Sequence, residues 1–261
     1  MATLVFFHAH PDDESITTGG SMAKYAAAGH RVVLVLGTGG EHGENPDDLA
    51  PGETLADRRR AETMRSAEAL GIGRVEFLGY QDSGMDGWDQ NHHEASFWQA
   101  DVEEAAQRLA AILRQEAADV LTVYDEHGGY GHPDHIQVHR VGHRAAALAA
   151  TPRLFEATMN RDAMRRNIDQ AIAAGIMSVD DAPPTEGADA FGTPEAMLTT
   201  CVDVTAFVEA KRASMACHRS QITDSSFFLQ MPVEMFAAAF GTEWYIHIGE
   251  PPGLRETELL G

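Results

Sequence analysis

Lysine is almost missing from this 261-residue chain: Lys24 and Lys211 are the only two, and 19 basic side chains face 40 acidic ones. The formal charge of −21 argues against a nucleic-acid partner, because phosphates demand a basic face. It suits a neutral or cationic small molecule instead. Cysteine is equally scarce. Cys201 and Cys217 form no C-x-x-C pair, which excludes a disulfide framework and a cysteine-built zinc site and leaves two reduced thiols. No apolar run approaches the length that crosses a bilayer, so no membrane span is expected. No basic segment precedes the first apolar run, so a signal peptide is not expected, and the expected location is the cytoplasm. Internal repeats and low-complexity tracts are absent as well. A phosphate-cradling loop is also excluded. In "GTGGEH" (37–42) the last position is His42 where a dinucleotide fingerprint wants glycine, and no lysine follows it. Those glycines are expected to let the backbone pass close to a site.

What remains is globular, with 44% hydrophobic and 23% charged residues. Strand-like runs at 3–7, 31–37, 74–79, 119–124 and 153–159 alternate with helical patterns at 21–29, 54–71, 100–118 and 135–150. Such alternation predicts an α/β fold, a Rossmann-like, mostly parallel sheet with helices on both faces. After residue 150 the pattern loosens into an additional C-terminal α+β segment. Helices are expected at 162–175 and 206–221, an exposed loop at 178–195 and a late strand at 243–250. The expected organisation is a single domain, residues 1–150 forming its core and 151–261 completing it.

Three polar clusters follow strands, where ligands of doubly wound sheets bind. They are "HAHPDDE" (8–14), "GTGGEHGE" (37–44) and "YDEHGGYGHPDHIQVH" (124–139). Taken alone, the first reads as a capped helix start, with acids at the positive end of the helix dipole. The third has the same plain reading. Two His-Pro-Asp turns at the ends of parallel strands are harder to dismiss as two caps. Together they bring imidazoles and carboxylates to one cleft, the donor set of a catalytic zinc with an open position.

The combination "AHPDDE" (9–14) with "YGHPDH" (130–135) resembles the LmbE-like, or PIG-L, family of metal-dependent N-deacetylases. "FLGYQDSGM" (77–85) and "HRSQ" (218–221) extend the resemblance. The resemblance implies a zinc-dependent amide hydrolase that removes an acetyl group from an N-acylated amino sugar, an N-acetylglucosamine linked to inositol being one candidate. Within the same family a thiol-conjugate amidase is the neighbouring alternative. A non-catalytic binding protein with a structural metal is the alternative from another class, and it has no use for a second carboxylate at Asp12.

The implied ligands are His10, Asp13 and His135, on one Zn²⁺ per chain, with Fe²⁺ or Co²⁺ also accepted by such a set. Asp12 is implied as general base. Tyr130 and His132 are implied to stabilise charge on the substrate oxygen, His132 as imidazole or imidazolium, with Asp134 holding the His132 ring. Arg59, in an R-x-x-E context with Glu62, and Asp82, in a D-S-G context, are implied to hold sugar hydroxyls. His8, His139 and His143 are read as packing or supporting residues.

Overall fold

In the computed structural model, residues 1–173, 178 and 191–261 are described. Five strands run parallel: β1 (Thr3–His8), β2 (Arg31–Thr38), β3 (Arg74–Tyr80), β4 (Val120–Tyr124) and β5 (Arg153–Thr158). Two more, β6 (Thr200–Asp203) and β7 (Thr242–His247), add antiparallel at one side. The seven-stranded order is β3-β2-β1-β4-β5-β7-β6. The order of the parallel strands therefore reverses between β1 and β4, where such sheets open a crevice at their carboxyl ends. The α/β class expected from the alternation is what the chain adopts.

The helices are α1 (Asp13–Thr17), α2 (Gly19–Ala27), α3 (Leu55–Leu70), α4 (Val102–Gln115), the single turn α5 (Gly128–Gly131), α6 (Pro133–Ala149), α7 (Arg161–Ala173), α8 (Val208–Met215), α9 (Phe227–Gln230) and α10 (Val233–Phe240). Their ends have local causes. Thr54 and Asp57 form a reciprocal capping box at the start of α3, and Gly71 closes it in the left-handed conformation. Asp101 accepts from the Glu104 N–H to start α4. Pro133 opens α6, where its fixed φ fits and its missing N–H costs nothing.

Successive strand residues point to opposite faces, and each face has its own core. Val5, Phe7, Val33, Val35, Leu121 and Val123 pack under α4 and α6. Leu4, Phe6, Val32, Val120 and Phe155 pack against Met22 and Leu70 on the other side. Val202, Val204, Tyr245 and Leu259, all from the C-terminal part, belong to this second core. Phe6 and Phe7 are fully buried, each burial worth about 1.5–3 kcal/mol.

Three expectations need correction or limits. The short edge strand β6 was not foreseen, because four residues, "TCVD", carry no period of their own. The helix expected over 206–221 is α8 alone and stops at Met215, because His218 and Ser220 turn away to bond buried carboxylates of α1 and α3. The helix expected at 162–175 is described as far as Ala173, and most of the loop at 178–195 lies outside the described residues.

Candidate active site

β1 and β4 are neighbours, so the clusters that follow them meet. β1 ends at His8, and beyond Pro11 the chain turns into α1 through Asp12, which holds φ 102. A non-glycine residue there is strained, and the strain is held by surrounding bonds. The Asp12 N–H donates to Glu14 Oε2 at 2.9 Å. Glu14 is fully buried and in turn receives Ser66 Oγ at 2.6 Å and His218 Nε2 at 2.6 Å on Oε1. Burial alone would raise the Glu14 pKa; the His218 charge overrides it and brings it to about 2.

The plain capping reading of Asp12 fails here, since its side chain makes no cap bond to α1. Its Oδ2 faces Arg59 Nη2 at 3.1 Å. Burial pushes the Asp12 pKa up to about 6, opposed by the Arg59 charge and aided by the Asp13 charge. Arg59 itself is buried at 4% exposure. It donates to the Gly40 carbonyl at 2.8 Å and to the Pro11 carbonyl, and its Nε has no partner. Glu62 does not meet Arg59; it binds the backbone N–H and hydroxyl of Ser220 at 2.9 and 2.6 Å.

His10, Asp13 and His135 come together. Asp13 Oδ2 lies 3.2 Å from His10 Nδ1 and 3.2 Å from His135 Nε2, and it accepts the His10 N–H at 2.9 Å. The other ring nitrogens fix the tautomers. His135 Nδ1 donates to the Gly128 carbonyl at 3.2 Å, leaving Nε2 with a lone pair. That Nε2 is buried and makes no well-aligned hydrogen bond despite its nearness to Asp13. His10 Nε2 donates to Asp134 Oδ2 at 3.1 Å, which leaves Nδ1 toward Asp13. Two donors on a tetrahedral ion, each about 2.0–2.1 Å from it, stand about 3.3 Å apart. The orphaned His135 nitrogen and these spacings fit a divalent cation.

A second grouping, His10, Asp82 and His132, also lies within 4.8 Å, so the centre offers two three-residue cation sets that share His10. Burial would lower the His10 pKa, but Asp82, Asp13 and Asp134 outweigh it and hold it well above the usual range. For Asp82 burial would raise the pKa, and His10 overrides it. Asp82 is 5% exposed and accepts the His42 N–H at 3.1 Å and the Gly84 N–H at 2.8 Å. Both residues expected to hold substrate therefore lie deep in the wall, with protein partners of their own.

His132 caps α6, its Nδ1 accepting the Asp134 N–H at 3.1 Å. Nε2 therefore carries the hydrogen and is available as a donor. Burial, then the charges of His10 and His135, push its pKa down to about 4. Of the two forms left open for His132, the Asp134 N–H on Nδ1 goes with the neutral ring. The grip expected from Asp134 is corrected. The Asp134 carboxylate takes the Ser83 N–H at 2.9 Å, the Ser83 hydroxyl and His10, so it orients His10 rather than His132.

Tyr130 stands in α5, 41% exposed, with its ring 4.9 Å from that of His135. The turn needs its glycines: Gly128 has φ 62, and a Cβ there would lie 2.6 Å from His135 Cβ. Below the site Tyr124 stacks on His135 at 4.3 Å and 9°, while its hydroxyl meets His8 Nδ1 at 2.7 Å. His8 is thus a packed support, as expected.

Sequence reasoning missed Glu14 and His218 as a pair and Ser83 as a partner. Glu14 was visible as the last letter of "HPDDE" and His218 as the first of "HRSQ". Nothing in a single sequence tells that the two touch.

A family model described as GlcNAc-PI de-N-acetylase (PIG-L) matches residues 5–146. A 1D-myo-inositol 2-acetamido-2-deoxy-alpha-D-glucopyranoside deacetylase from Thermomonospora curvata is 40% identical, with 96% of this chain and 91% of the relative covered. The N,N'-diacetylchitobiose deacetylase of Pyrococcus horikoshii has the same fold, with TM-score 0.61, 22% identity, and 94% and 83% of the two chains covered. So does a 4-carboxy-2-hydroxymuconate hydratase of Pseudomonas putida KT2440, at TM-score 0.61, 17% identity, and 98% and 99% coverage. At those identities the structural likeness speaks for fold alone.

Proposed function

The chain belongs to the PIG-L family of de-N-acetylases, and from that premise we propose that it hydrolyses the acetamide of an N-acetylglucosamine-type substrate, with a GlcNAc-inositol as the first candidate. The observation that carries the reading is the convergence of His10 Nδ1 and His135 Nε2 on Asp13 Oδ2, with Asp12 next to Asp13 in the same turn. We assign His10, Asp13 and His135 as ligands of one divalent cation, with zinc preferred. The alternative set with Asp82 would need His10 Nε2, which is already engaged by Asp134. When bound, such an ion supplies Lewis acidity for the amide carbonyl and acidifies water.

The chain's own residues do the rest. Asp12, whose pKa of about 6 suits a base near neutrality, takes the proton of the attacking water and passes it to the departing nitrogen. The His132 Nε2–H donates to the carbonyl oxygen as negative charge develops, and the Tyr130 hydroxyl does so from the exposed turn. Arg59 holds Asp12 in place from behind. Asp82, through the walls of the site, serves the sugar end.

The test is acetate release from N-acetylglucosaminyl-inositol, from N,N'-diacetylchitobiose and from N-acetylcysteine conjugates. Turnover on the first, lost with His135→Ala together with the bound metal, is expected. Turnover confined to the thiol conjugates would assign an amidase. Full activity and a full equivalent of metal in His135→Ala would overturn the ligand set.

A further inference from the structure

One group of cation-ligating side chains lies outside the site above. His139 and His143 stand one turn apart on α6, and Glu156 faces them from β5. Their ligand atoms lie within 4.8 Å of one another. Both rings aim at the same oxygen: Glu156 Oε1 is 2.7 Å from His143 Nε2 and 3.2 Å from His139 Nδ1. The Tyr124 carbonyl oxygen is 3.1 Å from that same His139 Nδ1. Two imidazoles and a carboxylate thus lie within ligating distance of one another, with the Tyr124 carbonyl beside the His139 ring.

From these contacts we propose a second divalent-cation site, of the zinc class, formed by His139, His143 and Glu156 with the Tyr124 carbonyl. The driving force is the Glu156 carboxylate. It is 7% exposed, and its ion-pair partners among the described residues are these two titratable rings. When both rings are neutral the buried charge is met by hydrogen bonds with no opposite charge, a costly state that a cation removes. The hydrogens now shared between rings, carboxylate and carbonyl give way to the ion, moving to the far ring nitrogens or into water. Imidazole donors select zinc, nickel, cobalt or copper over magnesium and calcium. Access is open, with 20% of the His139 and 32% of the His143 side chain exposed. His139 follows His135 by one helical turn, about 6 Å along the axis. The second ion therefore clips α6 to β5 close behind the catalytic wall, and Tyr124 links the two places, its ring on His135 and its carbonyl at His139.

The experiment is equilibrium dialysis of the chelator-stripped full chain against zinc chloride, read by elemental analysis. The wild type is expected to bind about two equivalents, His143→Ala and Glu156→Gln about one each, and His135→Ala to keep the second. Deacetylase turnover of the His143→Ala protein at one equivalent of zinc should stay within about twofold of wild type, with unchanged near-ultraviolet dichroism as the check on folding. A wild type that saturates at one equivalent, or variants that both still bind two, would overturn the site.

Discussion

Asp12 shows how one residue's surroundings set its chemistry. Four neighbours act on it: Arg59 from behind, Asp13 beside it, the charge of His218, and Glu14, which accepts the Asp12 backbone N–H. Replacing Asp12 by Ala should keep the metal and cost about 10²–10⁴ in turnover, the worth of a positioned base. Loss of metal instead would exchange the roles of Asp12 and Asp13. The ionised form is the one that accepts a proton, so kcat/KM should fall as pH drops through about 6. Arg59 opposes the rise of that pKa. Arg59→Ala should therefore move the acid limb to higher pH, because the neutral acid is no longer disfavoured by a nearby cation. A pH–rate profile decides this, and a limb that stays put would return Arg59 to a purely structural part. Comparing the sugar with a simple N-acetyl amine separates this from substrate contact: a pKa effect lowers both rates alike, whereas a hydroxyl contact lowers the sugar alone. The residue types were legible in the sequence, because two His-Pro-Asp turns at the ends of parallel strands are hard to explain as two helix caps. Their mutual orientation was not. Whether the Asp134 carboxylate turns to His10 or to His132 depends on Ser83, 51 positions away.

The elements carry these groups to one place, and α6 carries most of them. His132 caps it, His135 lies in its first turns, and its body packs on α4 and β4. Contact with β4 is close at Gly142, where a Cβ would stand 2.2 Å from Val123 Cγ1. Gly142→Ala should lower stability by about 1–3 kcal/mol, the usual cost of overpacking. It should also weaken metal binding, since the helix that holds His135 must move away from the sheet. Urea titration and metal dialysis on the same protein check both, and an unchanged midpoint would mean that Val123 makes room. The long helices and buried strands were readable from period and caps. Short pieces and ends were not: β6 is set by what it pairs with, and α8 stops short of the expected end because the "HRSQ" segment turns to bond buried carboxylates.

Across the whole molecule the question is whether residues 151–261 form a separate unit or complete the first. We propose that they complete it, and one buried pair bears the argument. Lys211 of α8 lies 2.6 Å from Glu243 of β7, and the two side chains are 1% and 2% exposed. Glu243 also accepts the N–H groups of Gly20 and Ser21 at 2.8 Å each, at the start of α2. A carboxylate from the last strand thus anchors the first long helix of the N-terminal part, where negative charge is favoured. Tyr245 and Leu259 share a core with Leu4 and Phe6, so apolar burial crosses the same boundary. Removing one partner of such a pair leaves the other charge buried without its counter-ion and costs about 3–5 kcal/mol. Lys211→Ala should therefore lower the unfolding midpoint of the entire chain, with a single transition and an unchanged slope in denaturant. Tyr245 fluorescence is not separable from that of other rings, so the two probes are far-ultraviolet dichroism and exchange of the α2 amides. Coincident loss in both, in wild type and variant, is what one cooperative unit requires. A variant that melts its C-terminal part first, while α2 stays protected, would show two units joined by an interface and would refute the single-domain reading.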